Sequence, residues 1–205
     1  MATASRAGSG RVHTEPVTGF PDAAVHADPN RVAVEILQRS WLDSGARLDR
    51  RCAGLSDREL LWEPVPDSWN LVPDESHPGG WSYPYDFAPP EPHPMTTIGW
   101  RLVHLVGDNL IYVEHAFGPG VRTFPDLPVH GTAAEVMADW RASTEPITTW
   151  LAAATDVDLL TDRPSHLGGT RTAGEVIRIL LDEQTHHGAE VALLRDLYAR
   201  RHDPT

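Results

Sequence analysis

Hydrophobic residues recur every three or four positions along four stretches of the chain, which is the pattern of helices with one buried face. The predicted helices cover residues 31–52, 96 or 97–117, 132–151 and 172–200. Thr132 and Thr172 each precede a glutamate by three residues, and this capping box is typical of a helix start. Pro146 is expected to kink or split the third helix, because proline removes a backbone hydrogen bond.

The stretch between the first two long helices has a different pattern. Ser56 and Glu59 form another capping box, which predicts a short helix over Leu60, Leu61 and Trp62. Residues 63–94 then contain nine prolines and several aromatic residues. A loop of this length is unusual in a compact domain and is more often functional, and its aromatic content predicts that it is packed down. No run alternates with period two over a convincing length, so we predict an all-α protein, a four-helix bundle with a long crossover loop.

Composition narrows the class of protein. The 205 residues include 17 basic and 29 acidic ones, and a net charge of −12 makes nucleic-acid binding unfavourable. The single cysteine, Cys52, excludes an internal disulfide framework. No apolar run is long enough to cross a bilayer, and no signal-peptide pattern is present. We therefore expect a cytoplasmic protein without membrane contact, with a flexible tail over residues 1–30 and one domain over residues 31–205.

The fourth predicted helix carries ionisable residues on its buried stripe. At 100° per residue, Glu183 and His187 lie on the same line as the apolar residues of that helix. They are four residues apart, so both side chains can reach one cation. The alternative is a hydrogen bond between them in the core, with no metal. His186 points about 100° away, toward the shoulder of the apolar face.

The second predicted helix supplies a counterpart. His104 interrupts an apolar stripe, and Asp108, four residues later, is placed to hold the His104 ring. A single core histidine is often only structural. Two helices of one bundle that each bury a residue able to bind metal are a rarer combination, and bundle cores are where such sites are built from facing helices.

Two segments resemble the DinB-like superfamily, and more closely its actinobacterial members related to mycothiol-dependent enzymes. They are Thr96-Thr-Ile-Gly-Trp-Arg-Leu-Val-His104-Leu and Glu183-Gln-Thr-His-His187-Gly-Ala-Glu-Val-Ala-Leu-Leu-Arg195. The resemblance implies an up-down-down-up bundle and a divalent metal, zinc or nickel, held by one histidine of the second helix and an H-x-x-x-H pair of the last. His104 and His187 match this pattern. Glu183 replaces a histidine, which leaves either a His₂Glu metal set or a member without metal.

The resemblance also implies a function. A metal with three protein ligands keeps an open position, where a low-molecular-weight thiol such as mycothiol is deprotonated for S-transfer to, or isomerisation of, a small electrophile. The alternative is a non-catalytic binding or stress-linked protein. Asp108 and His186 are expected just outside the ligand set, and Cys52 is a poor candidate for the nucleophile. The loop and helix aromatics Trp69, Trp81, Tyr83 and Trp100 are either packing residues or the wall of a substrate pocket.

Association is also a prediction. The first and third helices carry Trp41 and Trp140, and exposed bundle faces with these residues are expected to pair as a homodimer. The other expected partners are a small-molecule substrate and the thiol.

Overall fold

The computed structural model describes residues 28–201, of which most are helical. The helices are α1 (Val32–Cys52), α2 (Asp57–Leu60), α3 (Ile98–Phe117), α4 (Ala133–Ala153) and α5 (Ala173–Arg200). The strands are β1 (Val72–Pro73), β2 (Trp81–Ser82), β3 (Asp162–Pro164) and β4 (Thr170–Thr172). β1 pairs with β2 and β3 with β4, both antiparallel. The predicted mainly helical class is confirmed, and strands of two or three residues are too short to leave a period-two pattern.

Side-chain contacts give the directions of the four long helices. α1 and α5 run the same way, because Ser44 contacts Gln184 and, further along both helices, Arg51 contacts Asp196. α4 is antiparallel to α1, and α3 is antiparallel to α5. The pairs that establish these two directions are Trp41–Thr148, Asp49–Arg141, Arg101–Glu190 and His104–Glu183. The first part of α3 therefore lies alongside the middle of α5.

The helix starts follow the capping signals in the sequence. The hydroxyl groups of Thr97, Thr132 and Thr172 each accept a hydrogen bond from the backbone three residues later. The expectation that Pro146 splits the third helix is wrong, since α4 continues through it. Ile147 and Leu151 follow the proline and are fully buried, so packing of this face holds the helix together despite the missing hydrogen bond.

Contacts at its base and at its middle hold the long crossover loop in place. The backbone of Trp69 is hydrogen-bonded to Met95 and Thr97, which closes the loop at the start of α3. Its middle lies against the segment before α4, where a Cβ on Gly131 would stand 2.0 Å from the ring of Trp81. Only glycine allows this close approach. The loop is therefore fixed above one end of α3.

Two other expectations concern the outside of the molecule. Trp41 and Trp140 are only 2% and 3% exposed, so neither is available to pair two copies of the chain. The predicted tail falls almost entirely on residues 1–27, which lie outside the described residues. None of the described helices combines the length and the apolar character that a membrane span requires.

Candidate metal centre

The residues predicted as ligands lie together where α3 faces α5. His104 projects from α3, and Glu183 and His187 project from successive turns of α5. The Glu183 Oε2 atom is 3.5 Å from His104 Nε2 and 3.2 Å from His187 Nε2. One ligand atom of each residue lies within 4.8 Å of the other two. His187 is buried, and the other two are partly exposed.

This geometry fits a tetrahedral metal ion. Two ligand atoms about 2.0–2.1 Å from zinc, at the tetrahedral angle, stand about 3.3–3.4 Å apart. The separations at Glu183 are close to that value. Two imidazole nitrogens and one carboxylate oxygen form a donor set that zinc accepts and nickel tolerates, with a position left open. Glu183, which stands in place of a histidine of the pattern, thus keeps a possible ligand atom near both histidines.

The histidines favour the ionised form of Glu183, and the neighbouring carboxylates favour the protonated form of His187. Hydrogen bonds from His104 and His187 hold the pKa of the Glu183 carboxyl well below its usual range. Burial acts to lower the pKa of His187, but its bonds to Glu183 and Glu190 outweigh burial and raise it. Glu183 is thus ionised at neutral pH, as a metal ligand must be.

A second carboxylate holds the back of the His187 ring. Glu190 Oε2 lies 2.6 Å from His187 Nδ1, on the side of the ring opposite the cluster. Arg101 pairs with the same oxygen at 2.5 Å and is mostly buried. The Nδ1–H donates to Glu190, so Nε2 is the nitrogen that faces Glu183 and that would give up its proton to a metal. Sequence reasoning missed Glu190 and Arg101, although the i, i+3 spacing of His187 and Glu190 was a usable signal.

His186 belongs to a second group of possible ligands, with His187 and Glu190. That group does not suit a cation, because the guanidinium of Arg101 already occupies the position beside Glu190 and His187 Nδ1. The Nδ1 atom of His186 is bonded to the Asp182 carbonyl, and its Nε2 is 3.8 Å from Glu183. The face expected as an apolar shoulder is exposed to solvent. His186, Leu193 and Leu197 are exposed, and Ile179, the fourth residue expected there, is half-buried.

Asp108 stands beside the cluster and not behind it. Its Oδ2 is 3.5 Å from His104 Nε2, the same nitrogen that faces Glu183. The expected role, bonding to the other nitrogen to orient the ring, therefore does not match the geometry. Burial raises the pKa of Asp108 to about 6, and the His104 charge offsets only part of this effect. A carboxyl group that is half-protonated at about pH 6 thus borders the cluster.

Aromatic rings fix His104 from the side of the loop. The ring of Trp100 stacks on it with centroids 5.0 Å apart, and Tyr85 lies 5.8 Å away, nearly parallel. The indole N–H of Trp100 donates to the Pro84 carbonyl at 2.7 Å, which links α3 to the loop. The orientation of His104 is therefore set by stacking.

A cavity of about 390 Å³ opens onto His104. Its lining residues are His77, Ser82, Tyr83, Tyr85, Phe87, His104, Phe124 and Pro125. Of the expected wall residues, Tyr83 faces this cavity. Trp100 packs behind His104, Trp69 packs on Trp100 at 6.0 Å, and Trp81 lies against Gly131. The remaining lining comes from loops, whose positions sequence periodicity does not predict.

Cys52 is unsuited to nucleophilic chemistry. It is 4% exposed at the end of α1, and burial raises the pKa of its thiol to about 11 despite the nearby Arg195. The arginines next to it in sequence, Arg50 and Arg51, do not reverse this effect. Any thiol chemistry at the cluster therefore needs a thiol from solution.

The fold and the site together define the class of this protein. It is a small helical protein in which two histidines and a carboxylate of α3 and α5 face each other and could hold a metal ion. The chain belongs to the DinB superfamily, whose family model matches residues 41–191. The crystal structure of a DinB-like protein from Bacillus cereus is similar, with a TM-score of 0.55 and 16% identity over 83% of this chain and 96% of that one. No curated protein matches the chain. The resemblance of the two sequence segments to this superfamily is thus confirmed.

Proposed function

We propose that this protein is a metal-dependent enzyme that activates a low-molecular-weight thiol of the mycothiol type for S-transfer to, or isomerisation of, a small electrophile. The observation that carries the proposal is the cluster of His104, Glu183 and His187, whose spacing fits a three-ligand metal ion, at the edge of an aromatic cavity. A divalent metal bound there supplies an open coordination position and lowers the pKa of a coordinated thiol.

The chain's own residues perform the remaining tasks. The cavity walls Tyr83, Tyr85 and Phe124 give a flat, mainly apolar surface that favours a compact, conjugated electrophile. His77 also lines the cavity, and its Nδ1 lies 3.0 Å from the Pro78 carbonyl. Because Nδ1–H donates to that carbonyl, Nε2 remains free to accept or return a proton on a bound substrate.

A second candidate function is a binding protein that works without metal. The observation that favours it is that Glu183 lies within ion-pair distance of both histidines, so its charge is compensated inside the protein. In that case the cluster is a structural network, as often found in cores.

Metal analysis of protein purified without chelator or nickel resin separates the two candidates. The enzyme proposal expects about one equivalent of zinc or nickel, which is lost in His104→Ala and His187→Ala. Glu183→Gln keeps the shape and removes the charge, so metal affinity is expected to fall more than tenfold, or over about 1.4 kcal/mol. Glu183→His is expected to restore binding, since it provides a third imidazole.

The matched control is His186→Gln, because His186 is exposed and bonded to its own helix. It is expected to lose less affinity than His187→Gln. Protein that contains no metal, and whose stability falls in His104→Ala because the ionic network is broken, would favour the binding-protein candidate. Given one metal equivalent, turnover of a panel of electrophiles with mycothiol tests the thiol reaction itself.

A further inference from the structure

The β3–β4 hairpin brings two arginines to one face. Arg163 and Arg171 are directly opposite each other in the antiparallel register, so their side chains leave the same side of the hairpin. Like charges at such positions destabilise a two-stranded pair unless something compensates them. Within residues 28–201, neither guanidinium has a carboxylate within ion-pair distance, 4.0 Å. This is unusual in a chain with a net charge of −12.

Two buried nitrogen atoms of the same hairpin have no hydrogen-bond partner among the described residues, although the Arg163 guanidinium lies 5.4 Å from the centroid of the Phe117 ring. They are the Nε atom of Arg163 and the Nδ1 atom of His166, which lies in the turn of the hairpin. A buried polar group without a hydrogen bond costs about 1–3 kcal/mol, so such groups call for an explanation. Asp158 is near enough to feel the charge of Arg163, but it accepts its hydrogen bonds from Thr155.

The hairpin face lies against the continuation of the metal-site face of α3. The His166 ring is 4.3 Å from Tyr112 and 5.8 Å from Phe124, and Phe124 lines the cavity beside His104. Burial raises the pKa of Tyr112 and lowers the pKa of His166, and the positive charge of Arg171 acts to lower both. Tyr112 follows His104 by two helical turns, about 12 Å, and Asp108 lies between them.

We propose that Arg171, with Arg163 and His166, binds the carboxylate of a small aromatic molecule at this hairpin. Guanidinium groups bind planar carboxylates through paired hydrogen bonds, and the rings of Tyr112 and Phe124 offer a surface for the rest of the ligand. A phosphate fits less well. Guanidinium groups also pair with phosphate, but a phosphate site beside a helix start uses its free backbone N–H groups as well, and here Thr172 and Glu175 already cap the start of α5.

The ligand would extend from the hairpin along α3 toward Asp108 and His104. The identification of this ligand as the substrate rests on the proposed function, whereas the carboxylate site itself does not. Failure of one can therefore be separated from failure of the other, because carboxylate binding is measured on metal-free protein and metal content is measured separately.

The test is calorimetric titration of the full chain, treated with chelator at low ionic strength, with benzoate and with its neutral counterpart benzamide. Benzoate is expected to bind at least tenfold more tightly than benzamide. Arg171→Gln is expected to weaken benzoate at least tenfold and to leave benzamide unchanged. Arg163→Gln is a second variant with the same expected direction, in case the first does not fold.

Arg178→Gln is the control, because Arg178 is exposed on α5 and its only described ion pair is a 4.0 Å contact with Asp182. It is expected to bind benzoate like the original chain. Equal affinity for benzoate and benzamide, no benzoate binding at millimolar concentration, or an unchanged affinity in both hairpin variants would overturn the proposal. Inorganic phosphate that displaces benzoate at equal concentration would overturn the assignment to a carboxylate.

Discussion

Glu190 decides which nitrogen of His187 faces the cluster. An imidazole without a partner exchanges its proton between two nitrogens, and only the nitrogen without a proton binds metal. The 2.6 Å bond from His187 Nδ1 to Glu190 removes this freedom, and Arg101 holds Glu190 in turn. The competence of one ligand thus depends on two residues that do not belong to the ligand set.

Glu190→Gln is therefore expected to weaken zinc binding by about tenfold or more, as is typical of changes behind a ligating histidine. Competition titration with a zinc-binding dye measures the affinity, and thermal unfolding of the metal-free protein shows whether the variant is folded. Asp182→Asn, the same change at an exposed position of α5, is expected to have no effect. An equal loss in both variants would mean that the net charge of the helix matters and the orientation of His187 does not.

The buried position of Asp108 disfavours the ionised form of its carboxyl group. Its folded-state pKa of about 6 lies above the value of a free carboxyl, because the group is buried. The folded state therefore binds the proton more tightly than the unfolded state does. Its contribution to stability is complete below about pH 4 and is lost as the pH rises through 6.

Asp108→Asn removes this pH dependence without a change of shape. In chelator-treated protein at pH 7.5 the variant is expected to be more stable, by up to about 3 kcal/mol, since two pKa units correspond to that energy. At pH 4 the two proteins are expected to be equally stable. Urea unfolding at both pH values measures the difference, and an Asn variant that is less stable at pH 7.5 would contradict the assignment.

At the scale of elements, α2 joins the ends of α1 and α5. Glu59 forms a two-bond ion pair with Arg195, at 2.7 and 3.1 Å, and both side chains are largely buried. Arg195 also donates to the carbonyls of Arg51 and Ala53 at the end of α1. A helix of four residues is not stable alone. The ion pair between Glu59 and Arg195 of α5 therefore helps to hold α2 in place.

Glu59→Ala leaves Arg195 buried without its partner and is expected to lower the free energy of unfolding by about 3–5 kcal/mol. The comparison is Asp196→Ala, which removes the exposed pair of Arg51 and Asp196 and is expected to cost less than about 1 kcal/mol. Chemical denaturation measures both. Similar losses in the two variants would show that the Glu59–Arg195 pair does not join the elements.

At the scale of the whole molecule, a metal bound between α3 and α5 links two long helices that are distant in sequence. Zinc that binds only the folded state, at a free concentration 100 times its Kd, adds about 2.7 kcal/mol to stability. For a domain of this size we expect Tm to rise by about 5–10 °C. Thermal unfolding with added zinc and with chelator tests this, and His104→Ala is expected to show no shift.

Much of the fold could be predicted from residue spacing. Threonine caps at Thr132 and Thr172 and the apolar stripes placed four long helices to within a few residues, because capping and burial of one face are local or periodic properties. The same periodicity placed Glu183 and His187 on one line and His104 on the stripe of another helix. The same reasoning did not predict the role of Gln184. This residue is 1% exposed and donates to Trp41 and Ser44 of α1, and these contacts depend on how the two helices are packed.

The sequence by itself thus determined the helices, their buried faces and the three candidate ligands. Only the tertiary structure decided that Glu190 and Arg101 stand behind His187 and that Asp108 stands beside the ligand nitrogen of His104. It also decided that the loop aromatics form a cavity and that the hairpin arginines meet α3. These features join segments tens of residues apart, and side-chain periodicity carries no information on which segments the packed chain brings into contact.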